Sequence, residues 1–127
     1  MTLKAGDKLN DTLELKRELG HGAMGTVWVA HNHNLGADVA VKVLRGASLP
    51  EEARERFEKE ARGLARIDSP HVVRVFDYGV TSDDDPFIVM ELLRGEDLSE
   101  RIDRVGELTI EDTVTVIEQL CLALSRA

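Results

Sequence analysis

The sequence predicts an α+β fold: a five-stranded antiparallel sheet with one packed helix, followed by further helices. Three observations carry that prediction. Five short segments are rich in β-forming residues and partly alternate apolar with polar side chains. One amphipathic helix separates the third segment from the fourth. A glycine-rich stretch joins the first two as a hairpin connection.

Residues 1–11 are polar and read as a loose lead-in. Thr12 to Leu19 alternates well enough for a strand, and Thr26-Val27-Trp28-Val29-Ala30 is a second, dense in β-formers. His31 to Gly36 reads as a turn, and Asp38 to Leu44 as a third, strongly apolar strand. Ser48-Leu49-Pro50-Glu51 has the form of a capping box with proline near the first helical position. The helix that follows extends to about Ile67, with Ala53, Phe57, Ala61, Leu64 and Ile67 on one face. Pro70 ends it, since a residue before proline avoids helical geometry. Val72 to Tyr78 and Pro86 to Leu92 are two more strands around an acidic turn. Gly95 breaks the chain before a short helix from Leu98 to Arg104. Thr109 caps a last helix, on which Ile110, Val114, Ile117, Cys121 and Leu124 form a stripe.

Composition narrows the function. The chain has 127 residues, enough for one domain, and its apolar fraction of 43% suits a globular core. With 16 basic and 24 acidic side chains the net charge is −8, and no basic patch marks a nucleic-acid surface. The acidity reads most simply as solubility. Cys121 is the one cysteine, so neither an internal disulfide nor a cysteine-rich metal site is available. No run approaches the roughly 18 apolar residues of a membrane helix, and no signal-peptide pattern opens the chain; the expected location is cytoplasmic.

Two motifs carry chemistry. Leu19-Gly20-His21-Gly22-Ala23-Met24-Gly25-Thr26-Val27 spaces three glycines so that backbone N–H groups can close over phosphates without side chains intervening. Val39-Ala40-Val41-Lys42 follows on the third strand, where a lysine can pair with phosphate as a point charge. A P-loop would need Lys-Ser or Lys-Thr after its last glycine, and Gly25 is followed by Thr26-Val27. A dinucleotide fingerprint would need a helix there, and a β-rich run follows instead. An ordinary glycine-rich hairpin with no ligand remains open on this motif alone.

Lys42 shares a strand face with Ala40, opposite Val39, Val41 and Val43. A lysine in such a strand is costly unless paired or able to snorkel to solvent. Glu60 lies near the apolar face of the first helix, three residues after Phe57 and four before Leu64, unlike Glu51, Glu52, Glu55 and Glu58. It either stays solvated at the rim or meets a cation, and Lys42 and Glu60 explain each other.

Gly20 to Val27, Val39 to Lys42, Arg56-Phe57-Glu58-Lys59-Glu60-Ala61 and Pro86-Phe87-Ile88-Val89-Met90-Glu91, in this order, resemble the small lobe of a bacterial serine/threonine protein kinase. The resemblance covers roughly residues 10–127 and implies a small lobe with hinge over 1–93 and the first large-lobe helices over 94–127. It implies ATP under the glycine loop (as Mg-ATP in the intact family), Lys42 on the α- and β-phosphates and Glu60 orienting Lys42. Leu19, Val27 and Ala40 would wall the adenine pocket, with Met90 at its back. Glu91 and Leu93 would form the hinge, Leu98 would close the pocket from below, and Asp97 would stand near the ribose. Leu64 and Val75 would start the packing column that aligns the lobes. Ala23 and Trp28 are mild departures, standing where many bacterial relatives carry glycine and tyrosine. His71 reads as structural, and His21, His31 and His33 as surface loop residues with no metal site.

One departure is larger. Neither the His-Arg-Asp catalytic loop nor Asp-Phe-Gly occurs among the 127 residues. No catalytic base or magnesium ligand is therefore expected, and the chain alone should hold nucleotide without transferring phosphate. It reads as a fragment or as the product of a truncated reading frame. The last helix has little to bury its stripe against, so two readings stand: the ATP-binding portion of a kinase that phosphorylates protein serine or threonine, or a non-catalytic module docking a protein partner through the 110–124 face.

Overall fold

The computed structural model describes residues 2–22, 25–45 and 49–127. Five strands form one sheet: β1 (Leu13–His21), β2 (Gly25–Asn32), β3 (Ala37–Leu44), β4 (Val75–Val80) and β5 (Pro86–Met90). Their order is β1-β2-β3-β5-β4, with every neighbouring pair antiparallel. Helix α1 (Glu51–Ala65) lies between β3 and β4 in sequence, and α2 (Leu98–Val105) and α3 (Ile110–Arg126) follow the sheet. The α+β prediction therefore holds, down to the single helix packed on the sheet.

The two faces of β3 organise the interior. Val39, Val41 and Val43 point to one face, where Leu13, Leu15, Trp28, Ala30, Phe87 and Val89 join them. Leu44 and Ile88 point to the other and receive Phe57 and Ala61 of α1. Strand alternation thus divides the apolar residues between two cores. Trp28 is buried in the first, and its indole N–H donates to the Thr26 hydroxyl at 2.7 Å, so its polar edge is satisfied.

The lead-in is not loose. Leu9 is buried and Leu3 packs against the first core. Backbone bonds from Gly6 N–H to the Leu15 carbonyl and from Leu15 N–H to the Asp7 carbonyl, both 2.8 Å, tie the segment to β1. Two isolated leucines in a polar stretch give no periodicity, which is why the sequence did not reveal this brace.

Boundaries shift for local reasons. β2 continues through His31 to Asn32, so His31 stands in a strand and not in a turn. Helix α1 stops at Ala65 because the Arg66 N–H turns back to the Gly63 carbonyl at 3.2 Å and the Ile67 N–H to the Leu64 carbonyl at 3.1 Å, tightening the last turn. Ser48, the expected cap, lies outside the described residues; Pro50 occupies the N-cap position and caps with no side chain. β4 begins at Val75 and not at Val72, because Val72 N–H closes a turn on the Ser69 carbonyl at 3.3 Å. β5 ends at Met90, its last residue paired with β3 through Ala40. The Thr109 cap forms as expected, its hydroxyl accepting from Asp112 N–H at 3.0 Å.

Helices α2 and α3 carry no buried residues. On α3 the expected stripe faces solvent, with Ile110 84% and Leu124 72% exposed, while the half-buried Val116 and Ala123 mark the inward side. No helix among the described residues is long and apolar enough to cross a membrane.

Candidate nucleotide site

The β1–β2 hairpin, β3 and α1 enclose a cavity of about 750 Å³. The hairpin contributes Gly20, His21, Gly22, Gly25, Thr26 and Val27; β3 contributes Lys42 and Leu44; α1 contributes Ala53, Arg56, Phe57 and Glu60. Ala23 and Met24, between these glycines, lie outside the described residues.

The glycines differ in why they are glycine. A Cβ on Gly25 would sit 2.0 Å from the Val43 carbonyl oxygen, so the fold itself demands glycine there. A Cβ on Gly20 or Gly22 would meet nothing within 4 Å. Packing does not explain those two, and both face the cavity, where the missing side chains leave backbone accessible. Gly22 N–H donates to the Gly25 carbonyl at 2.9 Å and closes the hairpin.

Lys42 and Glu60 share the cavity, but no ion pair joins them, and both are exposed. The expected orienting contact is thus open. A solvated ammonium and a solvated carboxylate carry no burial penalty that would force them together. Arg56 brings a second cation to the same cavity, which sequence reasoning missed as a site residue. Its signal was the four-residue spacing to Glu60, which places both on one side of the helix. Leu44 and Phe57 were missed as lining because they also serve the core, and Ala53 because it reads only as part of the helix's apolar face. The charged side chains are thus two cations and one carboxylate.

Of the residues expected around adenine, Val27 lines this cavity and the others do not. Ala40 is buried in β3 and pairs in the ladder with Met90, which packs against the second core. Glu91 N–H donates to the Arg74 carbonyl at 2.8 Å, and its carboxylate accepts from Arg74 N–H at 3.3 Å. Leu19 and Leu93 instead meet across a second cavity of about 440 Å³, lined also by Lys16, Arg17 and Asp38. Asp97 caps α2, accepting from Glu100 N–H at 2.7 Å, which explains it as a local structural residue. Leu98 follows it on α2, half-exposed. In the packing column, Val75 packs against the second core while Leu64 is exposed.

His21 lines the cavity, whereas His31 and His33 find partners outside it. His31 Nδ1 lies 2.9 Å from Asp38 Oδ1, and Lys16 Nζ donates to Asp38 Oδ2 at 3.0 Å. These two contacts hold the Asp38 carboxyl below its ordinary value of 3.8. His33 Nε2 lies 3.3 Å from Glu14 Oε2.

Comparison with known proteins shows the family and the fold. Residues 13–126 match the family model described as protein tyrosine and serine/threonine kinase. The serine/threonine-protein kinase PknA of Mycobacterium tuberculosis is 36% identical over 132 aligned residues, spanning 100% of this chain and 31% of the relative. Serine/threonine-protein kinase A of Synechocystis is 40% identical over 122 residues, spanning 94% of this chain and 23% of the relative. A crystal structure of the Mycobacterium tuberculosis PknI kinase domain superposes with a TM-score of 0.81 at 28% identity, covering 98% of this chain and 51% of that domain. The chain thus spans about half of that kinase domain and a third or less of these curated relatives. With a family match over nearly its whole length, the chain belongs to the protein tyrosine and serine/threonine kinase family, and its relatives are bacterial serine/threonine kinases.

Proposed function

We propose that this chain binds ATP, as Mg-ATP, as the nucleotide-holding part of a bacterial serine/threonine protein kinase. The observation that carries the reading is the cavity in which Gly20 and Gly22, unneeded by packing, face Lys42 and Arg56. A polyphosphate suits that place: open backbone on one side and two cations on the other. Bound ATP supplies the phosphoryl group that the intact family transfers to protein serine or threonine. Lys42 holds phosphate oxygens by charge, Arg56 adds a second donor, and Glu60 limits how far Lys42 swings. Residues 1–93 act as the small lobe with its hinge at Glu91 and Leu93, and 94–127 as the start of the large lobe. Ala40, Met90, Leu19, Val27 and Leu98 contact the adenine once the hinge closes on it, and Asp97 serves as a helix cap beside the ribose.

The 127 residues carry no His-Arg-Asp and no Asp-Phe-Gly, so on its own this chain holds nucleotide and transfers phosphate negligibly. Calorimetry with Mg-ATP tests the reading. Wild type should bind weakly, and Lys42→Met should bind on the order of tenfold more weakly. No heat from either protein, or equal affinity, would refute it.

A second reading rests on α3, whose apolar residues lie in solvent. In it the chain docks a protein partner through Ile110, Val114, Ile117 and Leu124 without catalysis. A strictly monomeric protein at high concentration, with no change on adding kinase large lobes, would dismiss it.

A further inference from the structure

Helix α1 brings Glu60 to the cavity, yet only Phe57 and Ala61 of this helix are buried. They rest with Leu44 and Ile88 as a single apolar stripe. Such a stripe resists lifting of the helix but resists rotation about its axis poorly, because apolar burial has no direction. A directional contact away from the stripe is needed to fix the rotation.

Arg54 makes one. From the first turn of α1 its guanidinium reaches the β4–β5 turn, donating from Nη1 to Asp84 Oδ2 at 2.9 Å and from Nη2 to Asp84 Oδ1 at 3.1 Å. Two parallel bonds fix orientation as well as distance. The Arg54 side chain lies against the protein, 19% exposed, while that of Asp84 is 74% exposed. A pair so open to water adds little to stability, so its effect lies in geometry.

The anchor is built to be rigid. Asp84 is the one non-glycine residue among those described with positive φ, 68°. Aspartate tolerates that region better than most residues, but a turn must still hold it there. Thr81 does so: its carbonyl accepts from Asp84 N–H at 2.9 Å, and its hydroxyl accepts from Asp85 N–H at 3.1 Å.

The geometry points to Arg54 and Asp84 as positioning residues for the nucleotide site, a clamp that sets the rotation of α1 and through it the separation of Glu60 from Lys42. Glu60 follows Arg54 by roughly 9 Å along the helix axis, so the helix transmits a turn at the clamp to the carboxylate. The inference rests on the reading of the cavity as a nucleotide site, and its test separates the two.

Spin labels on α1 and β1, at Lys59→Cys and Arg17→Cys in a Cys121→Ser background, report the helix position by pulsed electron resonance without any ligand. Wild type should give one narrow distance. Arg54→Met and Asp84→Asn should each broaden or displace it, and Arg54→Lys, with one compact donor head, should fall between. Melting temperatures should stay within about 2 °C, as for other exposed pairs. Mg-ATP affinity in the unlabelled Arg54→Met protein should fall about threefold to tenfold, as for a modest loss of preorganisation. An unchanged distance distribution in both Arg54→Met and Asp84→Asn overturns the clamp. A broadened distribution in a protein that binds no Mg-ATP upholds the clamp and refutes the nucleotide reading instead.

Discussion

The Val43 carbonyl stands where a side chain on Gly25 would begin: a Cβ there would lie 2.0 Å from its oxygen. The clash is backbone against side chain, with β2 and β3 locked in register by the Gly25–Leu44 and Thr26–Val43 pairs. Gly25→Ala should therefore lose about 3 kcal/mol, the scale of overpacking that a core cannot relax. Gly22→Ala, with open space around it, should stay within about 0.5 kcal/mol of wild type. Urea denaturation checks both. The same Gly22→Ala protein should bind Mg-ATP more weakly, because the new methyl group occupies the cavity.

The two cores should respond independently. Leu15 belongs to the core on one face of the sheet and Phe57 to the core under α1. Leu15→Ala and Phe57→Ala should each cost about 3 kcal/mol, and the double variant should be additive within about 0.5 kcal/mol. Chemical denaturation of the three variants measures this, and a large coupling term would mean that the β3 backbone transmits strain between the faces.

Asp38 gives a pH signature with a definite sign. Its folded-state carboxyl is held below 3.8 by the hydrogen bonds from His31 and Lys16. A depressed carboxyl stabilises the fold fully above its unfolded value, and that contribution fades as pH falls through the lower folded value. Asp38→Asn should therefore lower stability at neutral pH and flatten the further loss below about pH 3.8, where wild type loses this contribution. Thermal melts between pH 7 and pH 2 test it; parallel curves for the two proteins would contradict the assignment.

The α3 face should be separable from folding. Ile117 and Leu124 are exposed and serve neither core. Ile117→Ser with Leu124→Ser should change unfolding free energy by no more than about 1 kcal/mol in total. The same pair should reduce concentration-dependent association in sedimentation velocity.

Much of the fold was legible because its signals are local. The β-branched runs of β2, β3 and β5, the helical stripe of α1 and the Thr109 cap each announce themselves within a few residues. The N-terminal brace was not legible, since Leu3 and Leu9 become core residues only when Gly6 and Leu15 bond across the chain. The site divided along the same line. Gly20, Gly22, Gly25 and Lys42 were singled out from motif spacing, Val27 from the family resemblance and Glu60 from its place on a helix face, and all six line one cavity. Arg56 was not, because a cation on an exposed helix turn looks like solubility until the helix is docked. His31 was misplaced in a turn because its β-strand continuation depends on pairing with Glu14 and Asp38.

By itself, the order of residues determined the strand count, the single packed helix and the family, through motifs whose spacing is a property of the chain alone. Tertiary structure decided what spacing cannot carry. It distinguished Gly25, fixed by a neighbouring carbonyl, from Gly20 and Gly22, which only the cavity explains. It left Lys42 and Glu60 in one cavity without an ion pair, and it joined Arg54 to Asp84 across 30 residues of sequence. The reason is physical: hydrophobic period and turn chemistry act over a few residues, whereas close approaches and ion pairs are set by which distant elements the packed sheet brings together.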